Sequence, residues 1–338
     1  MPGDMSDHER WLAQVTEDVL EPMLPICDPH HHLWDHPGRR YLLDELLADT
    51  GSGHNVVATV FVECMSMYRA DGPLALRPVG ETEFVDGVAA MSASGRYGPT
   101  RVAAGIVSFA DLSLGERVGE VLDAHAAASP RFRGIRHAAG WDASEQVRNS
   151  HTNPPRGLLG AARFRLGFKE LGRRGLSFDA WLYHPQIREL ADLARAFPDT
   201  TIVLDHFGGP LGIGPYEGKR AEVLAAWKTA FRALAACPNV VAKLGGLVMP
   251  INGFGFHKAA RPVTSAELVG ATRDFYLHAI DCFGPGRCMF ESNFPVDKAS
   301  CSYAVLWNSF KRLCAGFSAA DKAALFHDTA ARVYRLRP

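Results

Sequence analysis

Short β-branched apolar runs alternate with longer stretches of helical periodicity along most of the chain. Eight such runs stand out: Ile26 to Asp28, Val56 to Val62, Val102 to Phe109, Phe132 to Arg136, Ser177 to Tyr183, Thr200 to Asp205, Val240 to Leu244 and Cys288 to Ser292. Loop residues and a candidate helix follow each one. After Pro185, which suits a first helical turn, Ile187, Leu190, Ala194 and Phe197 recur on one helical face, as do Val223, Leu224, Trp227, Phe231 and Leu234. Eight strand–helix alternations predict an α/β fold of the (β/α)8 TIM-barrel class, with a doubly wound sheet as the rival architecture. Ahead of the first strand, Ser6 and Glu9 have capping-box spacing, and Trp11, Leu12, Val15 and Val19 line one apolar face. These residues predict an N-terminal helical extension over residues 1–24, followed by a barrel over 25–338.

Composition narrows the function classes. With 338 residues, 47% of them hydrophobic, the chain can bury a large core, which excludes disorder as its main state. Lys plus Arg number 36 against 37 Asp plus Glu, and these charges are spread along the chain. That balance removes the footprint a nucleic-acid partner would need. Apolar runs stay shorter than a membrane span, and the first residues are polar and acidic, so no membrane partner and a cytoplasmic location are expected. A small-molecule substrate is the expected partner; a homo-oligomer is compatible with the composition, which does not fix subunit number. The seven cysteines contain no C-x-x-C pair and read as core thiols.

In a barrel the chemistry sits where strands run out into loops. Three such connections are long: Glu63 to Gly80, Ala138 to Gly160 and Gly245 to Ser265, the last carrying Met249, Phe254, Phe256, His257 and Lys258 among glycines, as a mobile cover or a plain surface loop. The first strand ends in Asp28-Pro29-His30-His31-His32, where extended geometry turns His30 and His32 to one side and His31 to the other. Two imidazoles on one face suit a divalent metal or acid–base work, or a structural cluster. His184 and His206 recur after the fifth and sixth runs. Charged Glu63 and Lys243, inside or ending strands, are candidate ion-pair partners or substrate contacts. Tyr183 and Trp141 could stack on a ligand or serve packing. Arg148, His151 and Arg156 could recognise an acid or form a solvated face, and Asp205 could orient an imidazole or pair with a neighbouring cation.

Taken in order, His30-x-His32, Gly134-Ile135-Arg136-His137, Tyr183-His184-Pro185, Asp205-His206-Phe207-Gly208-Gly209, Lys243-Leu244-Gly245-Gly246 and Phe290-Glu291-Ser292-Asn293-Phe294-Pro295 resemble the amidohydrolase superfamily. Within it they are similar to the lactonase subgroup that includes 2-pyrone-4,6-dicarboxylate lactonase and fuconolactonase. The resemblance implies a metal held by His30, His32 and His184 with an aspartate ending the eighth strand, and a catalytic role for His206. This chain has Asn293 at that aspartate, a poor base and a weak zinc ligand. Glu291, of the same strand parity, and Asp297, just past the strand, are the replacement candidates. Arg136 and His137 stand where binuclear relatives place a bridging ligand, which favours at most one metal and an anionic or carbonyl-rich substrate.

The expectation is therefore a hydrolase opening a lactone or related cyclic ester of a small carboxylated or sugar-derived substrate. One divalent ion, Zn2+ by ligand type, or a carboxylate in a metal-independent site would activate the water. A metal-dependent decarboxylase of the same superfamily and a non-catalytic barrel that binds a small acid are the alternatives.

Overall fold

The computed structural model describes residues 6–336. Eight parallel strands form one sheet in chain order: β1 Ile26–His31, β2 Val56–Val62, β3 Arg101–Ser108, β4 Phe132–Arg136, β5 Ser177–Ala180, β6 Ile202–Leu204, β7 Val240–Leu244 and β8 Cys288–Phe290. The seam between β8 and β1 is drawn together just beyond β8, where His32 N donates to the Phe294 carbonyl at 2.8 Å and Asn293 N donates to the His30 carbonyl at 2.9 Å. All eight expected runs are strands, and the architecture is a (β/α)8 barrel.

Helices follow the strands on the outside. Ile187–Ala196 buries Ile187, Leu190 and Ala194, and Arg220–Ala235 buries Val223, Trp227, Phe231 and Leu234, as the helical spacing predicts. The period of two in the strands separates two cores. In β7, Val240, Ala242 and Leu244 face the helices, and Val241 turns inward, with Lys243 of the same parity. In β8, Cys288 and Phe290 face outward and Met289 inward. The interior core also receives Ala330, Val333 and Tyr334 from the C-terminal segment.

The N-terminal helix is shorter than its apolar pattern suggests. Its capping box is present, but it ends at Leu12, leaving Val15 and Val19 outside. Tertiary bonds hold the following residues in an extended path: Glu17 accepts from Ser265 N at 2.8 Å, and Leu20 N donates to Asn308 Oδ1 at 2.9 Å. The connection after β7 is also more anchored than a free cover. Asn252 is buried and donates to the Pro210 carbonyl at 2.8 Å, and the Arg220 guanidinium lies 3.7 Å from the centre of the Phe254 ring. Among the described residues, no helix is long and apolar enough to cross a membrane.

Candidate active site

Strand alternation carries a set of polar side chains inward above the apolar interior, toward the ends of the strands. At its centre is Glu291. Its Oε1 accepts from His206 Nδ1 at 2.7 Å, and its Oε2 lies 2.8 Å from His30 Nδ1 without hydrogen-bond geometry. Two glycines make room for this group: a Cβ on Gly245 would overlap the Glu291 backbone and Cγ, and one on Gly246, with φ +73°, would overlap the His206 ring. His30, His206 and Glu291 form the one group of three His, Cys, Asp or Glu side chains among the described residues whose donor atoms all lie within 4.8 Å of one another.

Cations and carboxylates surround it. Lys243 Nζ is 2.7 Å from Asp179 Oδ2, 3.1 Å from Asp205 Oδ1 and 3.2 Å from His30 Nδ1, and Tyr334 donates to Asp179 Oδ2 at 2.6 Å. Burial opposes the Lys243 charge, but Asp179 and Asp205 outweigh it and hold its pKa above the usual lysine range. Arg136 gives Nε to Glu63 Oε1 at 2.6 Å and Nη2 to the Glu63 carbonyl, while its Nη1 is 3.4 Å from His30 Nε2. His151 Nε2 meets Glu63 Oε1 at 3.0 Å. Against burial, Arg136 and His151 hold Glu63 at about 2, and the His206 imidazole on its Oε1 holds Glu291 at about 2. Burial drives His30 and His32 well below the usual histidine value, so both are neutral.

This leaves four carboxylates, Glu63, Asp179, Asp205 and Glu291, facing two permanent cations, Arg136 and Lys243. Both Asp205 oxygens and Glu291 Oε2 lack a hydrogen-bond partner. A buried excess of negative charge beside neutral imidazoles fits a divalent cation.

The expected site residues divide accordingly. His30 and His32 lie together, with ring centres 5.0 Å apart. His32 Nδ1 is 2.8 Å from the Val62 carbonyl, which makes that nitrogen the donor and leaves Nε2 as the lone pair. His184 stands apart, because its Nδ1 accepts from Leu211 N at 3.2 Å; in the neutral ring Nε2 then carries the proton and has no lone pair for a metal. The structure thus groups His206 and Glu291, not His184, with His30. Arg136 is turned to Glu63 and His30, whereas His137, just past the strand, accepts at Nδ1 from Leu112 N at 3.2 Å. Tyr183 is buried, donates to the Arg148 carbonyl at 2.5 Å and packs with Val147 and Leu211, so it serves packing. Arg156 lies against the Trp141 ring.

Asn293 Nδ2 donates to Asp297 Oδ1 at 2.9 Å. Burial keeps the Asp297 carboxyl well above the ordinary range, and its Oδ2 has no partner. Asp205 joins the cation network, as one of its two readings anticipated. The sequence reading missed Asp179 and Tyr334. A charge at an inward position of a strand, the signal that drew attention to Lys243, was also present for Asp179. Nothing local marks Tyr334, which arrives from the far end of the chain.

A barrel with a buried His–His–carboxylate centre at the ends of its strands defines a hydrolase-type metal or acid–base site. Residues 27–336 match the family described as Amidohydrolase, and the chain belongs to that family. It is 35% identical to the uncharacterized protein y4mH of Sinorhizobium fredii, over 93% of this chain and 99% of that one. It is 27% identical to an L-fucono-1,5-lactonase of Burkholderia multivorans, over 91% and 95%. A solved amidohydrolase from Burkholderia multivorans with bound zinc superposes with a TM-score of 0.71 at 27% identity, covering 92% of this chain and 99% of that one. The protein is thus an enzyme of a hydrolase family with lactonase relatives, which sets aside the non-catalytic barrel.

Proposed function

We propose that the protein hydrolyses the ring ester of a small lactone. The observation that carries this reading is the buried His30–His206–Glu291 group, placed where (β/α)8 enzymes keep their reacting groups. Glu291 Oε1 fixes Nδ1 of His206 as the donor, so Nε2 is the lone pair that takes a proton from water. Asp297 is the proton source for the leaving alkoxide. Asn293 occupies its Oδ1, so the proton that burial retains sits on the unpartnered Oδ2. Arg136 and Lys243, each held by carboxylates, keep the pocket's positive charge in fixed positions beside His30. Alternatively, His30, His206 and Glu291, with the His32 lone pair nearby, would hold one divalent ion, zinc by analogy with the relative of known structure, and His206 Nε2 would then be a ligand and not the base. When bound, that ion would acidify water and polarise the ester carbonyl.

The test combines metal analysis of protein purified without chelator with turnover of a lactone panel before and after chelation, for the parent and His206→Asn. Ring opening should incorporate one oxygen from labelled water, and His206→Asn should abolish turnover while leaving the fold intact. A normal rate in that variant refutes the assignment. Loss of turnover on chelation assigns the three side chains to an ion; survival assigns the proton to His206 Nε2. Release of carbon dioxide without label uptake would identify a decarboxylase instead.

A further inference from the structure

A cavity of about 440 Å³ lies between the connection that follows β6 and the one that follows β7. Gly212 and Gly253 line it where the two backbones touch: Gly212 N donates to the Ile251 carbonyl at 3.0 Å, and a Cβ on Gly253 would overlap the Gly212 carbonyl. His30, His206 and Glu291 are not among its lining residues, so the cavity is separate from that centre.

Its charged lining is mostly cationic. Arg220 comes from the first connection, and His257 and Lys258 come from the second. Arg220 is the first residue of the helix Arg220–Ala235, where the helix dipole disfavours a cation, so helix stability does not account for it. Its guanidinium is held in place, with Nη2 donating to the Asn252 carbonyl at 2.9 Å and its face 3.7 Å from the centre of the Phe254 ring. Phe254 is in turn stacked on Phe256, with ring centres 5.5 Å apart. Nε and Nη1 of Arg220 have no acceptor among the described residues, and no carboxylate balances its charge: burial lowers the pKa of this half-buried group and nothing raises it. Lys258 is exposed and likewise has no ion-pair partner among the described residues. Burial, and then the charge of Lys258, lower His257, which is therefore neutral. The one acid in the lining, Glu217, is exposed to the screening of water and pairs with neither cation. Ile213, Tyr216 and Pro250 add apolar surface, and the Tyr216 hydroxyl is committed to Asp142 Oδ2 at 2.8 Å.

A half-buried guanidinium without a counter-ion is unfavourable, and an oxyanion accepting its free N–H groups would relieve it through charge-assisted hydrogen bonds. A phosphate monoester carries close to two negative charges near neutral pH and so matches both Arg220 and Lys258, whereas a monocarboxylate matches one. The cavity exceeds what a free phosphate fills, which leaves an organic group to cover Ile213, Tyr216 and Pro250.

We propose that this cavity is a second ligand site, which binds the phosphate monoester of a small organic molecule between Arg220 and Lys258. The proposal does not depend on the reaction at the first centre. The probes are phenyl phosphate, inorganic phosphate and benzoate, each titrated near neutral pH into chelator-treated full chain and followed by calorimetry. Phenyl phosphate should bind at least about fivefold more tightly than benzoate and about threefold more tightly than inorganic phosphate. Arg220→Gln should weaken its binding at least about tenfold. That variant also loses the contact with Phe254, so Lys258→Glu, a change on an exposed side chain, is the second test and should weaken binding by about tenfold. His206→Asn should bind phenyl phosphate as the parent does. Phenyl phosphate binding that is absent, matched by benzoate or by inorganic phosphate, unchanged in Arg220→Gln or Lys258→Glu, or lost in His206→Asn overturns the proposal.

Discussion

Glu81 lies beneath the loop that carries Met65 and Tyr68, and it is held in a condition that lowers stability near neutral pH. Its Oε1 accepts from Cys64 N at 3.0 Å and from Ser66 N at 2.7 Å, while Oε2 has no partner. Burial first, and then the charge of Glu63, push its carboxyl up from 4.5 to about 8. Between those two values the folded chain binds a proton that the unfolded chain does not, so this group's contribution to stability falls as pH rises. At about 1.4 kcal/mol for each pH unit, folding at pH 7 carries a cost on the order of 3 kcal/mol from this side chain. Glu81→Gln keeps an acceptor for the two backbone N–H groups and removes the titration. Its buried amide nitrogen costs ~1 kcal/mol in return. The variant should therefore be more stable than the parent by roughly 2 kcal/mol near neutral pH, with the advantage gone near the unfolded carboxyl's own pKa. Urea denaturation of both proteins at the two pH values reads this difference. An advantage that is absent near neutrality, or equal at both pH values, refutes the reasoning.

Three further outcomes follow from the site. Gly245→Ala should cost ~3 kcal/mol in urea denaturation and displace Glu291, lowering turnover, because the added Cβ meets backbone as well as side chain. Lys243→Met should destabilise by ~3–5 kcal/mol by leaving Asp179 and Asp205 buried without their ammonium, and combining it with Asp179→Asn should recover part of the loss in chemical denaturation. Asn293→Asp sets a carboxylate against Asp297, so the two must share one proton; turnover should fall at least ~10-fold, and a gain in rate would show that Asp297 is not the acid.

The barrel was legible in the sequence because its signals are local. A β-branched run, a loop and a helix with a period near 3.6 can each be recognised without knowing what they pack against, and eight of them in order leave few topologies. Parity within a strand was legible for the same reason, which is why Glu291 could be placed on the same side as Asn293, and Lys243 recognised as a buried charge in need of a partner.

What the sequence could not supply was which distant groups meet, since that depends on register between strands and on the paths of loops. By position alone His184 and His206 both follow strand ends, and the resemblance gave the first to a metal and the second to catalysis. Only the fold shows Leu211 N claiming the His184 nitrogen while Glu291 claims His206, a loop N–H in one case and the side chain just past β8 in the other. Tyr334 reaches Asp179 because the C-terminal segment enters the barrel interior, and His151 reaches Glu63 because the loop after β4 arches back over β2. Residue types and their local spacing determined the barrel and its supply of imidazoles and carboxylates. Tertiary structure decided which of them share a proton, because a hydrogen bond depends on a few tenths of an ångström between atoms that the chain separates by scores of residues.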